Sequence, residues 1–112
     1  MSPELRPGEY VFVTGAAAVD GAAVTVREDE GVTSVVARAD ADRLGLAYDF
    51  VAAWITLRVH SALEAVGLTA AVATALAGAG ISCNVVAAFH HDHLFVPADR
   101  AEEAVAVLQA LA

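Results

Sequence analysis

The chain contains no lysine and only one cysteine, and both shortages limit what the protein can do. Its six basic residues are all arginines, against 14 acidic residues, so 6 − 14 gives a formal net charge of −8. That charge argues against binding nucleic acid or anionic lipid, and cationic or zwitterionic partners fit better. Cys83 has no second cysteine with which to form an intramolecular disulfide, which is typical of a protein in a reducing cytoplasm.

Charged residues are missing from positions 65–89, a stretch long enough to cross a bilayer. Its composition nevertheless argues against a membrane helix, because alanine is weakly apolar, Gly78, Gly80, Ser82 and Asn84 interrupt the second half, and no basic cluster flanks it. The N-terminus also lacks the apolar run of a secretory signal. We therefore predict a soluble, cytoplasmic protein with no membrane segment.

The familiar motifs of enzyme active sites are also missing. The sequence has no phosphate-binding glycine loop, no nucleophile elbow and no carboxylate pair in a recognisable catalytic setting. Residues His90, His91, Asp92 and His93 offer metal ligands, but a structural zinc site needs four, and only His60 could be added from another predicted strand. We therefore predict a non-catalytic protein that needs no metal and no cofactor.

The chain is organised around an alanine-rich helix that is followed by a strand. Five apolar residues recur at helical spacing and form its predicted buried face: Leu68, Val72, Ala75, Leu76 and Ala79. Gly78 and Gly80 supply the left-handed conformations that end a helix. Residues 81–86 are short and rich in β-branched side chains, which favours a strand.

The first third of the chain is rich in β-branched residues and predicts a β-meander. The expected strands cover residues 10–14, 24–28 and 32–36. Asp20-Gly21 and the acidic segment 28–31 are the turn signals between them. A short helix follows, which Asp40 would cap and Gly45 would close.

From residue 54 the predicted order is strand, helix, strand, strand, helix. The last helix would open with Asp99 and Glu102 as a capping box. This order is most of a ferredoxin-like pattern in which one closing strand is missing. We therefore predict an α+β fold, an antiparallel sheet with helices on one face, which the strands of residues 10–36 extend or complete. The expected units are 1–52, a β-rich partial unit, and 53–112.

Three segments of the second half resemble the ACT domains, the small ligand-sensing modules of amino-acid metabolism. Residues 57–61, 66–72 and 76–86 look like the regulatory ACT segments of aspartokinases. The whole chain is similar to short stand-alone bacterial ACT proteins akin to arginine-sensing modules. The resemblance implies a ferredoxin-like fold, often two ACT-like units in one chain, association of copies, and binding of a small amino acid at an interface.

The start of the predicted alanine-rich helix has the chemistry to hold such a ligand. Unpaired N–H groups and a partial positive charge at a helix start bind carboxylates, and an ammonium group needs side-chain acceptors nearby. The predicted ligand-binding residues are Ser61, Glu64, Gly67, Leu68, Thr69, Ala70 and Asn84. We therefore predict a regulatory ACT protein that binds a small amino acid and forms a homo-oligomer, most simply a dimer. A ligand-free structural or interaction module that forms homodimers is the alternative.

Overall fold

A computed structural model describes residues 2–58 and 67–111 of the chain. In chain order its elements are β1 (Pro3–Leu5), β2 (Tyr10–Gly15), β3 (Val24–Glu28), β4 (Gly31–Ala37), α1 (Arg38–Leu44), β5 (Val51–Leu57), α2 (Leu68–Gly78), β6 (Asn84–Ala87), β7 (Asp92–Pro97), a 3-10 turn (Ala98–Arg100) and α3 (Ala101–Gln109). Within the described ranges, no helix is long and apolar enough to cross a membrane.

The residues group into two compact units. The first unit is Gly8–Ala52, and the second unit is Met1–Pro7 together with Ala53–Ala112. The sequence placed the first seven residues with the first unit, whereas in the structure their contacts are with the second. The N-terminal segment therefore belongs to the second unit, although the first unit directly follows it in the sequence.

In the first unit β4 lies between β3 and β2, and all three strands are antiparallel. β4 takes this central place because it is apolar, with Val35 and Val36 almost fully enclosed, whereas β3 carries the polar residues of an edge strand. β3 therefore pairs with β4 rather than with β2, and the Asp20-Gly21 turn does not join two paired strands as a meander requires.

Helix α1 begins earlier than Asp40, which the sequence predicted as its cap. The N-cap is Ala37, no side chain caps this end, and Asp40 lies in the first turn. The amide of Arg38 donates to the backbone oxygen of Glu9 over 2.9 Å, so the preceding strand satisfies part of the helix start. The helix ends at Gly45 in the left-handed conformation, as predicted.

In the second unit the strands follow the order β1, β5, β7, β6. β1 pairs antiparallel with β5, placing Pro3 opposite Leu57 and Leu5 opposite Ile55. The closing strand of the ferredoxin-like pattern is therefore Pro3–Leu5. Among the strands expected to extend or complete the sheet, β2 pairs antiparallel with Val51 and Ala52, which belong to the first unit. The sequence did not predict β1, because a three-residue segment is too short to show an alternating pattern. Its proline is tolerated because β1 lies at the edge of the sheet.

Helices α2 and α3 supply the core of the second unit. Val72 and Leu76 of α2, with Ala104 and Leu108 of α3, have no exposed surface and pack on the sheet at Ile55 and its neighbours. Val72 and Leu76 belong to the apolar face predicted for the first of these helices, and Ala104 and Leu108 are four residues apart on one face of the second, so both predicted helices are confirmed. The ferredoxin-like α+β fold is confirmed as well.

Helix α2 ends in a Schellman arrangement. Gly80 has φ +72° and donates to the oxygen of Ala77 over 2.9 Å, and Ile81 donates to the oxygen of Leu76 over 2.9 Å. Gly78 is the last helical residue and has no positive φ, so of the two glycines only Gly80 acts as predicted.

The guanidinium of Arg100 caps the same helix end. Its Nη1 donates to the oxygen of Gly80 over 2.7 Å and its Nη2 to the oxygen of Ala79 over 2.9 Å, while Glu103 Oε1 accepts from Nη2 over 2.8 Å. The capping box predicted at Asp99 does not form. Asp99 lies in the 3-10 turn, and the N-cap of α3 is Arg100 itself, without a side-chain bond to the helix start.

Arg100→Met is expected to lower the free energy of unfolding by about 1 kcal/mol, because two carbonyls lose charged donors at a helix end where positive charge is favourable. Urea denaturation measures this. The matched control is Arg43→Met, since Arg43 pairs with Asp40 at 3.4 Å on an exposed surface, where an ion pair contributes little. Equal stability loss in the two variants would contradict the capping role.

Candidate functional site

The opening of α2 is the part of the predicted site that the structure describes. Gly67 is the N-cap with φ +103°, and among the described atoms nothing lies within 4 Å of the place that a Cβ would take there. Leu68 packs against the core, whereas Thr69 and Ala70 are exposed. The first turn carries no acidic residue, so its backbone N–H groups and partial positive charge face no carboxylate of that turn.

The structure does not bring Asn84 to this opening. Asn84 begins β6 after α2 has ended, stands opposite Phe95, and donates its amide to the backbone oxygen of Phe95 over 3.4 Å. The 11 residues of α2 span about 16 Å, which separates Asn84 from the Gly67 end of the helix. Ser61 and Glu64, predicted as acceptors for an ammonium group, lie outside the described residues.

The other face of the second unit's sheet carries a set of linked polar side chains. Ile55 and Leu57 point into the helix-covered core, so their neighbours on β5 point to the opposite face. There Arg6 Nε donates to Thr56 Oγ1 over 3.1 Å, and the guanidinium carbon of Arg6 lies 4.5 Å from the centre of the Trp54 ring. We call Arg6, Trp54, Thr56 and His93 the Trp54 cluster.

His93 completes the Trp54 cluster from β7. The indole Nε1 of Trp54 donates to His93 Nδ1 over 3.0 Å, and Thr56 Oγ1 lies 3.1 Å from the same nitrogen. Burial, and then the positive charge of Arg6, hold the pKa of His93 below its ordinary value of 6.5. Strand alternation accounts for the position of Trp54 and Thr56 on one face of β5. Arg6 was not among the predicted site residues, because its position follows from the pairing of β1.

An ion pair joins the same two strands near the end of β5. Arg58 donates to both carboxylate oxygens of Glu4, and this bond holds the pKa of Glu4 below its usual range. The amide of Arg58 also donates to the oxygen of Ser2 over 3.0 Å. The N-terminal strand is thus fixed to β5 by side chains and backbone together.

Metal-ligating side chains are not grouped in the part of the chain that the structure describes. Among residues 2–58 and 67–111, no three histidine, cysteine or acidic side chains lie so that together they could hold a metal ion. Cys83 is half-buried, and burial raises the pKa of its thiol, which disfavours the nucleophilic thiolate.

Surface depressions occur away from the opening of α2. One of about 470 Å³ lies at the start of α3 and includes Leu5 and Asp99, and one of about 380 Å³ lies at the start of α1 and includes Glu9 and Arg38. Neither is lined by a predicted ligand-binding residue. At the second depression, Arg38 Nε donates to the hydroxyl of Tyr48 over 2.9 Å, and Arg38 Nη1 donates to Glu9 over 2.9 Å. Its charged groups are therefore already paired within the protein.

Comparison with solved structures identifies similar folds. A protein of unknown function from Vibrio cholerae, described as a possible transport protein, is 47% identical, with a TM-score of 0.90 over 96% of this chain and 86% of that one. A protein from Agrobacterium tumefaciens is 22% identical, with a TM-score of 0.77 over 97% and 87% of the two chains. The structure of aspartokinase alpha and beta subunits is 14% identical, with a TM-score of 0.69 over 98% and 96%, a likeness in fold alone.

Family models give the identity of both halves of the sequence. Models described as ACT domain match residues 1–53 and residues 50–110. A search of functionally curated proteins found no significant match to this sequence. ACT domains are regulatory, non-catalytic modules that generally bind ligands. The two family matches confirm the resemblance seen in the sequence, and the chain belongs to the ACT domain family.

Proposed function

We propose that this protein is a regulatory module that binds a small amino acid at the opening of α2. The observation that carries the proposal is a helix start in an ACT domain with no acidic residue in its first turn, an N-cap glycine and exposed residues beyond it. Helix starts of this kind bind anions through backbone N–H groups. A zwitterionic ligand also suits a chain whose net charge is −8.

In this proposal the ligand carboxylate accepts hydrogen bonds from the amides of Leu68, Thr69 and Ala70. Gly67 allows close approach because it presents no side chain. The ammonium group is held by Ser61 or Glu64, which precede the helix in the sequence. Asn84 takes no part, since it lies at the other end of α2.

The binding event is expected to act through association of copies in the cytoplasm. A ligand that binds better to one oligomeric state shifts the population toward that state. We propose a homodimer whose formation depends on the amino acid. The alternative, a ligand-free interaction module, predicts a homodimer that amino acids leave unchanged.

A thermal-denaturation screen with the twenty amino acids tests the proposal. We expect one or two of them to raise the melting temperature at millimolar concentration, because a ligand that binds only the native state stabilises it by about 2.7 kcal/mol at 100 times its Kd. Gel filtration with and without the active amino acid then reports the change in association. Absence of any shift, with a dimer present throughout, would establish the ligand-free alternative.

Ala70→Asp separates binding from stability. A carboxylate in the first turn is expected to stabilise the ligand-free protein by about 0.3–1 kcal/mol and to abolish the ligand-induced shift, because it occupies the charge site that the ligand needs. The control is Ala73→Asp, one turn further along the exposed side of α2, which should retain the shift. A ligand-induced shift that survives in Ala70→Asp would contradict the proposed site.

A further inference from the structure

The hydrogen bonds of the Trp54 cluster fix the protonation state of His93. An indole N–H is a donor only, so His93 Nδ1, 3.0 Å from Trp54 Nε1, has to be the acceptor and carries no hydrogen. The imidazole is therefore neutral, with its hydrogen on Nε2. Thr56 Oγ1 accepts from Arg6 Nε, which leaves the hydroxyl hydrogen to point at the same Nδ1, 3.1 Å away.

These bonds also fix the N-terminal strand. Arg6 directly follows β1, its amide donates to the oxygen of Trp54 over 2.8 Å, and its guanidinium lies against the Trp54 ring and on Thr56. β1 is only three residues long, and Leu5 is 42% exposed, so apolar burial alone holds it weakly. Besides the backbone ladder and the ion pair of Glu4 with Arg58, the side-chain connection of β1 to the sheet therefore runs through Arg6 to a single nitrogen of His93.

We propose that the Trp54 cluster is a pH-sensitive latch, which holds β1 on the sheet while His93 is neutral and loosens it when His93 takes up a proton. A hydrogen on Nδ1 would face the indole N–H of Trp54 and end that bond. The Thr56 hydroxyl, which can also accept, would have to turn from donor to acceptor. It would also place a second positive charge next to Arg6. The hold of the closing strand on β5 would then be weaker, although the backbone ladder and the ion pair of Glu4 with Arg58 remain.

The charges around His93 support this direction. Burial, Arg6, His91 and Arg58 all disfavour the imidazolium and lower the pKa of His93, and only the neighbouring Asp92 opposes them. Glu4, on the β1 side, is neutralised by its pair with Arg58. Because the folded-state pKa lies below the unfolded value of 6.5, the stabilisation is complete above pH 6.5 and is lost as the pH falls from there through the folded-state pKa.

The protein contains one tryptophan, so fluorescence reports the latch directly. Between pH 8 and pH 5 we expect quenching of Trp54 with a midpoint below 6.5, since imidazolium quenches a neighbouring indole. His93→Asn keeps an acceptor near the position of Nδ1 but does not titrate in this range, and it should remove the transition. His90→Asn, at a histidine outside the cluster, should retain it. A transition that persists in His93→Asn would overturn the proposal.

Hydrogen exchange tests whether β1 is released. After correction for intrinsic rates, the amides of Arg6 and Arg58 should exchange about tenfold faster at pH 5.5 than at pH 7.5, while the amide of Val35 in the first unit should not change. Tenfold corresponds to one pKa unit of linkage. Unchanged rates at Arg6 and Arg58 would overturn the latch even if Trp54 fluorescence titrates. If His93→Asn fails to fold, the nitrogen chemical shifts of His93 in the wild-type protein test the latch instead, because they show which ring nitrogen carries the hydrogen. The latch requires Nε2 to carry it at pH 8, and a hydrogen on Nδ1 at that pH would overturn the proposal.

Discussion

Leu76→Ala is expected to lower the free energy of unfolding by about 2–5 kcal/mol, among the largest effects of any single substitution in the chain. Leu76 has no exposed surface and lies between the sheet and α3. Its carbonyl also accepts the bond from Ile81 that ends α2. Truncation leaves a cavity under the helix whose first turn we propose as the ligand site, so we expect the affinity for the amino acid to fall with stability.

Leu44→Ala is the matched control for this substitution. It removes the same atoms from a helix, but Leu44 is 49% exposed at the end of α1. Substitutions at such positions usually change stability by less than about 0.5 kcal/mol. Chemical denaturation of both variants gives the comparison. If the two losses were equal, the packing assigned to α2 would be wrong.

Removal of residues 2–6 is expected to destabilise the second unit by about 3 kcal/mol. The deletion takes away β1, its ladder of backbone bonds to β5, the Arg6 contacts and the ion pair between Glu4 and Arg58. Backbone bonds contribute about 1 kcal/mol each, and β5 would be left with an open edge. Thermal denaturation of the truncated chain measures the loss.

A peptide that covers residues 2–9 provides the control for this deletion. Added in trans to the truncated chain, it should restore the melting temperature in a concentration-dependent way, because it can occupy the open edge of β5. The same peptide with Glu4→Pro should fail, since proline removes an N–H from the ladder. Full stability of the truncated chain without peptide would contradict the role of β1 as the closing strand.

The helices and most strands could be predicted because their residues repeat an apolar pattern over many positions. Leu68, Val72 and Leu76 mark one face of α2, and Ile55 and Leu57 mark one face of β5. β1 could not be predicted in this way, because three residues do not make a period and its pairing partner lies about fifty residues away. The order of the strands in the first unit could not be predicted from turn signals either. β4 lies between β3 and β2 because it is apolar, and no local turn signal indicates that position.

The part of the candidate site that could be predicted from the sequence is the part formed by backbone groups. The N–H groups of a helix start exist whatever the side chains are, so the opening at Gly67 followed from locating the helix. The placement of Asn84 followed from chain order, since a residue that comes six positions after the end of α2 lies at the helix end opposite to Gly67. The prediction that grouped Asn84 with Gly67 did not take the length of the helix into account. The Trp54 cluster needed the pairing of β1, which brings Arg6 to Trp54.

Titration of the isotope-labelled protein with the amino acid that raises its melting temperature tests the central claim most directly. If the ligand carboxylate binds the opening of α2, the backbone amide signals of Leu68, Thr69 and Ala70 should move downfield with one common Kd, and the Ala70→Asp variant should show no such change. Amide shifts that are confined to other parts of the chain, with those three signals unmoved at saturation, would contradict the account.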